Sequence, residues 1–255
     1  MSESIRAVER ALDVLLCFSS QTPTLTMTQI SEQVGINKST VHRLLATLET
    51  KRFVDRDPVT GIYRPGLRLL QMAFLTMEHN DLRRLASPFL HTLCDQHREN
   101  VNLAVLDDTD VIYLDAIESP QRVKLAAAPG ERLPAFCTAS GKAILALLPE
   151  YAVKSILEGG MPNRTPTTIV TQEAFFNDVR QIREQGFAIS DQEFEEGINA
   201  VAAPICNPPI ASISIAGPAY RLTLERMLEI GPDLVSTANN IAQEVEKAGT
   251  FFKRG

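Results

Sequence analysis

Between Lys38 and Thr50 the sequence KSTVHRLLATLET separates into two faces at helical spacing. Val41, Leu44, Leu45 and Leu48 recur three and four apart, so one side of a helix is apolar. Ser39, His42, Arg43, Ala46 and Thr50 fall on the opposite side, which is small and polar and carries an arginine. Such a face suits the base edges of a DNA major groove, where an arginine can pair with the two acceptors of a guanine. Lys38 and Thr40, at the helix start, are placed with the first helical amides to meet phosphates. The outer face of any small helical domain has a similar pattern, so these residues alone leave both readings open.

A second stretch with chemistry in it is CTASGK at 137–142. Small side chains and unbonded amides at the start of an apolar helix favour an anion such as a carboxylate. The plainer reading is that Thr138 or Ser140 only caps the helix and that Ser214 is an ordinary strand serine. Ser140 and Lys142 resemble a nucleophile and its base, but two residues apart on a helix they point about 200° from one another. The four histidines (His42, His79, His91 and His97) form no HExxH motif, and the four cysteines (Cys17, Cys94, Cys137 and Cys206) form no CxxC pair. No glycine-rich nucleotide loop is present. No catalytic residue, metal site or cofactor is therefore expected.

The elements that would position these residues follow from periodicity and punctuation. Residues 5–18 read as a helix, with Ile5, Val8, Leu12, Leu15 and Leu16 at helical spacing and Ser4 as its cap. A short helix at 28–34, capped by Thr28, ends at Gly35. Asn37 caps the helix 38–50, and FVDRDPVTGIYR at 53–64 reads as a hairpin that holds Arg56 and Arg64 beside it. A short helix, a glycine turn, a second helix and a hairpin make a winged helix-turn-helix, in which the second helix reads the major groove and the hairpin lies on the backbone or minor groove. A helix at 66–79 follows. Its surplus of large apolar side chains (Leu67, Leu69, Leu70, Met72, Phe74, Leu75 and Met77) implies a partner chain.

Beyond it, strands at 101–106, 111–117, 122–127, 187–190, 199–205 and 210–217 alternate with helices at 81–97, 139–148, 150–157, 171–185 and 223–248. That order predicts an antiparallel or mixed sheet flanked by helices. NPPI at 207–210 predicts an abrupt turn, because two prolines donate no backbone hydrogen bonds.

The 255 residues carry a net charge of −6 and are 44% hydrophobic, so a sizeable core can form. Residues 1–66 hold eight basic and seven acidic side chains, while the remainder sums to −7. The acidity belongs to the second part. A nearly neutral DNA-binding unit grips weakly as a single copy, because affinity rises with the number of phosphates neutralised, so two or more copies are expected. The N-terminal segment has an acidic residue at position 3 and no uninterrupted apolar stretch, which argues against a signal peptide. No run approaches the length of a membrane span, so a cytoplasmic protein without membrane contact is expected.

SIRAVERALDVLLCF, TMTQISEQVGINKSTVHRLLATLE and FVDRDPVTGIYRPG, followed by GERLPAFCTASGKAILA, IREQGFAISDQEFEEGINAVAAPI and ASISIAGPAYRLTLERM, resemble the IclR family of transcriptional regulators in order along nearly the whole chain. The resemblance implies an α+β protein with an N-terminal winged helix-turn-helix (1–65), a linker helix (66–79) and a GAF-like effector-binding domain (80–255). It implies a homodimer or homotetramer on double-stranded DNA with a palindromic operator, repressing or activating in response to a small organic acid. DNA contacts are expected from Lys38, Ser39, Thr40, His42, Arg43, Arg56 and Arg64. Effector contacts are expected from Leu125, Leu133, Ala139, Ser140, Ser190, Asp191, Ala200 and Ser214. Members that bind small keto acids carry a cysteine where this chain has Ala200 and a second serine where it has Ala216. The less polar pocket points to a larger or partly aromatic acid rather than glyoxylate or pyruvate. Pro65 stands where the family usually has leucine. The rival expectations are an enzyme and a ligand sensor whose N-terminal domain binds protein instead of DNA.

Overall fold

A computed structural model describes residues 5–19, 21–78, 81–123, 127–205 and 211–248. Its contacts divide the chain into two compact units, Met1–His79 and Asn80–Gly255.

The first unit comprises α1 (Arg6–Leu16), α2 (Met27–Val34), α3 (Lys38–Thr50), strands β1 (Val54–Arg56) and β2 (Tyr63–Pro65), and α4 (Leu67–Glu78). Its core gathers Val14, Leu25, Ile30, Val41, Leu45, Val54 and Tyr63 from every element except α4. The cap of α2 is Thr26, not Thr28. Gln29 explains the choice: its amide donates to the Thr26 hydroxyl while its side-chain oxygen accepts from the Thr26 amide at 2.8 Å. This reciprocal pair requires a threonine three residues before a glutamine, which Thr28 lacks. Gly35 closes α2 with φ of 70°, a left-handed conformation that costs glycine little. Two residues later Asn37 opens α3 by accepting the Thr40 amide at 2.9 Å. The hairpin pairs Val54 with Pro65 and Arg56 with Tyr63, and Leu25 bridges to Tyr63 on its other side. Pro65 ends β2, and α4 begins two residues later.

At α1 the expected packing does not hold. Its one fully buried residue is Val14, while Ile5, Val8, Leu12 and Leu16 are more than half exposed. Ile5 occupies the cap position with no side-chain bond, and Ser4 lies outside the described residues. Val8 and Leu12 join Leu15, Leu44, Leu48 and Phe53 along an open apolar groove of about 430 Å³. On α4, Leu67, Leu70, Phe74 and Leu75 are likewise more than half exposed.

The second unit comprises α5 (Asp81–His97), β3 (Asn100–Asp107), β4 (Asp110–Ile117), β5 (Arg132–Pro134), a 3-10 turn (Ala135–Cys137), α6 (Ala139–Leu145), α7 (Glu150–Leu157), α8 (Gln172–Gln185), β6 (Ala188–Asp191), β7 (Ile198–Ile205), β8 (Ala211–Pro218) and α9 (Leu224–Lys247). The six strands lie in the order β5-β4-β3-β8-β7-β6, and every pairing is antiparallel. Side chains alternate across the sheet. Val101, Leu103, Val201, Ala203, Ile213 and Ile215 pack under α5 and α9, whereas Ala104, Val111, Tyr113, Ala188 and Ala202 face α6, α7 and α8. Because both faces are covered, these strands read as nearly continuous apolar runs.

The strand expected at 122–127 is absent where it can be seen. Arg122 and Val123 lie in a bend and Ala127 in irregular backbone, while Lys124, Leu125 and Ala126 lie outside the described residues. The edge strand is β5 instead, and the helix expected to reach residue 148 stops at Leu145. The NPPI turn also falls outside the described residues.

Candidate functional sites: an exposed helix face and a buried cavity

On α3, Val41 and Leu45 are buried, and Lys38, Ser39, His42, Arg43, Ala46 and Thr50 are exposed, with Thr40 half-buried between them. Several hydroxyls are already engaged. Ser39 donates to the Asn37 side chain at 2.8 Å, and Thr50 donates back to the Ala46 carbonyl at 2.8 Å. Lys38, His42 and Arg43 meet no acidic side chain among the described residues, so their donors face solvent. Arg56 lies over the Tyr63 ring at 5.7 Å, and Arg64 sits 4.0 Å from Asp55, a solvent-screened pair worth little. Two residues that sequence reasoning missed join this face. Arg6 and Arg10 of α1 border a cleft of about 640 Å³ with Thr40, His42, Arg43 and Ala46. Their spacing of four was visible, but no local signal says which side of α1 meets α3.

In the second unit a cavity of about 160 Å³ opens between the sheet and α6. Six of the expected effector residues line it: Leu133, Ala139, Ser140, Ser190, Ala200 and Ser214. Leu125 lies outside the described residues. Asp191 does not line the cavity. It follows Ser190 on β6, and strand alternation turns it to the other side, where its side chain accepts from Gln192. Asn102, Tyr113, Thr138, Phe194, Glu195, Ile198 and Ala216 complete the described wall, with Ala127 at one edge. Asn102 carries a signal in the sequence, since asparagine is depleted in strands and this one interrupts an apolar run.

The wall is tightly specified. Thr138 caps α6 by accepting the Gly141 amide at 3.2 Å and donates its hydroxyl to the Pro134 carbonyl at 3.0 Å. A Cβ on Gly141 would stand 2.1 Å from the Ala135 carbonyl oxygen, so only glycine lets α6 lie against the 3-10 turn. At seven residues α6 has a small dipole, and the polar groups of the wall are mainly side chains. Ser190 donates to the Cys137 carbonyl at 3.1 Å. Tyr113 is hydrogen-bonded to Ser140, and burial pushes its phenol up to about 12, so it stays protonated. Asn102 donates through Nδ2 to Ser214 Oγ at 3.5 Å, while its Oδ1 is buried without a partner.

Lys142 does not serve Ser140. Its ammonium is fully buried and held 2.5 Å from Glu193 and 2.9 Å from Asp178. Burial outweighs the attraction of Lys142 and pushes the Glu193 carboxyl up to about 6. Thr165 and Thr168 donate to the Gln192 and Glu193 carbonyls, each at 2.7 Å. These bonds fix the segment that brings Phe194 and Glu195 to the cavity. Burial also pushes the Cys137 thiol up to about 12, leaving it a poor nucleophile. Among the described residues no group of three His, Cys, Asp or Glu side chains can hold a metal, and no helix is long and apolar enough to cross a membrane.

Residues 7–58 match the profile of the IclR helix-turn-helix domain, and residues 74–243 match that of the bacterial transcriptional regulator IclR C-terminal domain. The HTH-type transcriptional regulator XynR of Escherichia coli is 35% identical over 83% of this chain and 86% of its own. The crystal structure of an IclR transcriptional regulator from Alicyclobacillus acidocaldarius superposes with a TM-score of 0.84 at 28% identity, over 94% of this chain and 99% of that one. An IclR homolog from Microbacterium hydrocarbonoxydans, solved as a complex with 4-hydroxybenzoate, shares the fold with a TM-score of 0.80 at 23% identity, over 93% of this chain and 99% of that one.

Proposed function

This chain belongs to the IclR family of bacterial transcriptional regulators, DNA-binding proteins rather than enzymes, and from that premise we propose that a small organic acid in the cavity controls its hold on a palindromic operator. Residues 1–65 read DNA, 66–79 link and pair chains, and 80–255 sense the acid. The observation that carries the DNA reading is the outward row of α3. Lys38, Ser39, His42 and Arg43 project from a helix whose other side closes a core, and among the described residues no acidic side chain pairs with Lys38 or Arg43. Arg43 and His42 meet base edges. Lys38, Thr40, Arg56 and Arg64 meet phosphates, with Arg6 and Arg10 beside them.

A unit of charge +1 needs more than one copy to grip. The exposed apolar sides of α1 and α4 support pairing with a second copy of the chain, as a homodimer or homotetramer. Binding of the acid favours one arrangement of the paired chains and so changes the separation of the two recognition helices, which half-site spacing demands within narrow limits. The protein works in the cytoplasm, where its operator is.

An aromatic acid suits the cavity. Leu133, Phe194, Ile198, Ala200 and Ala216 give it an apolar wall, and a volume of about 160 Å³ matches the roughly 150 Å³ that suffices for benzene. The homolog complexed with 4-hydroxybenzoate makes that compound the first probe to try. Selection of bound duplexes from a random pool tests the DNA reading. The full chain should enrich a two-fold symmetric site, and Arg43→Ala should relax the preference at the base pair that Arg43 reads. If the wild-type chain enriches no sequence, the reading fails.

A further inference from the structure

We infer that Asn102 reads a hydroxyl group on the effector, which makes the ligand a hydroxylated organic acid rather than a plain carboxylate; this rests on the proposal that the cavity takes an aromatic acid. The argument is one of donors and acceptors. Asn102 stands on β3, with Ala116 of β4 on one side and Ser214 of β8 on the other, and is only 2% exposed. One of its two amide N–H groups is directed at Ser214 Oγ, 3.5 Å away, and its oxygen has no donor. Neighbouring hydroxyls do not supply one. Ser190 gives its proton to the Cys137 carbonyl and Thr138 its own to the Pro134 carbonyl, while the Tyr113–Ser140 pair, which uses one of its two O–H groups internally, makes no bond to that oxygen.

A buried acceptor without a donor is costly, because it has given up water and gained nothing in return. Asn102 is part of the cavity wall, and an occupant that reaches its oxygen would cancel that cost. A deprotonated carboxylate offers only acceptors and cannot do so. Ser190, with its lone pairs left over, and Glu195 add two more acceptors to the same wall. The lining therefore asks its ligand for protons as well as for an apolar ring.

Calorimetry on the full chain tests this with benzoate, 3-hydroxybenzoate, 4-hydroxybenzoate and 4-methoxybenzoate, the last replacing the donor by an acceptor. Wild-type protein should bind one hydroxybenzoate at least tenfold more tightly than benzoate or 4-methoxybenzoate. In Asn102→Leu that advantage should fall within threefold. Asn102→Ala removes the same oxygen without adding bulk and gives the comparison should Asn102→Leu fail to fold. Equal binding of benzoate and the hydroxybenzoates by wild-type protein, or an advantage that survives both substitutions, overturns the inference and leaves the aromatic reading standing. If none of the four acids binds, the aromatic reading fails and this inference with it.

Discussion

The face proposed to read DNA and the cavity proposed to read an acid are built in opposite ways. On α3 the face comes from one helix of 13 residues, its side chains are exposed, and its position depends on local devices such as the Asn37 cap and the Gly35 turn. The cavity draws on β3, β4, β5, α6, β6, β7, β8 and the segment after β6, between Asn102 and Ala216, and its polar atoms are largely spent on one another before any ligand arrives. A local face can lose one side chain without disturbing the rest. A buried wall cannot, because each removed group leaves a partner in a place without water. Substitutions at α3 should therefore change binding and spare the fold, and substitutions behind the cavity should do the reverse.

Lys142→Met gives the largest contrast. It leaves Glu193 and Asp178 without their cation, and removing one partner of a buried ion pair costs about 3–5 kcal/mol. Denaturant unfolding should show a loss of that order in the C-terminal unit. A loss under 1 kcal/mol would place Lys142 outside the framework of the wall.

Arg43→Ala is the counterpart on the helix. Operator affinity should fall by roughly 1–3 kcal/mol, with the unfolding midpoint unchanged, if the guanidinium pairs with a guanine. A shifted midpoint with intact affinity would reverse the comparison.

Glu193→Gln sharpens the buried side through pH. The Glu193 carboxyl is raised from its usual 4.5 to about 6, so the folded protein keeps a proton that the unfolded chain has released. That group's contribution is fully present below about pH 4.5 and is lost as pH rises through about 6, a decline of up to about 2 kcal/mol. Melting curves across this window should show the decline in wild-type protein and lack it in the variant.

The smallest effect is expected at Thr26→Ala. It removes the cap of α2 at about 1 kcal/mol and should lower stability of the N-terminal unit alone. The same change at Thr28 should have no such effect.

The two regions also differ in how far their sequence announces them. Helix α3 declares itself through a 3.6-residue period, an asparagine cap and a preceding glycine, all within a few residues of one another. The Thr26 cap was equally local, since only Thr26 has a glutamine three residues on, but the nearer threonine masked it. At α1 the period was correct and its meaning was not. An apolar stripe signals burial without saying in what, and most of this one stays exposed, with Val8 and Leu12 at the groove.

In the second unit, strand and helix order could be read from alternation and punctuation except at the short edge strand β5, whereas which side chains meet could not. Ser190 and Asn102 lie on strands three places apart, roughly 14 Å at about 4.8 Å per strand, and only the pairing register brings their faces to one cavity. Asp191 shows the cost of lacking that register, because a shift of one residue moves a strand side chain to the opposite face.

Coupling between the two regions is the central claim, and fluorescence anisotropy of a labelled selected duplex, titrated with the full chain in the absence and presence of 4-hydroxybenzoate and benzoate, measures it directly. The account predicts that 4-hydroxybenzoate changes the operator Kd by at least fivefold, that benzoate changes it less, and that Asn102→Leu abolishes the difference between the two acids. An operator Kd that stays the same with the cavity saturated by 4-hydroxybenzoate would contradict it.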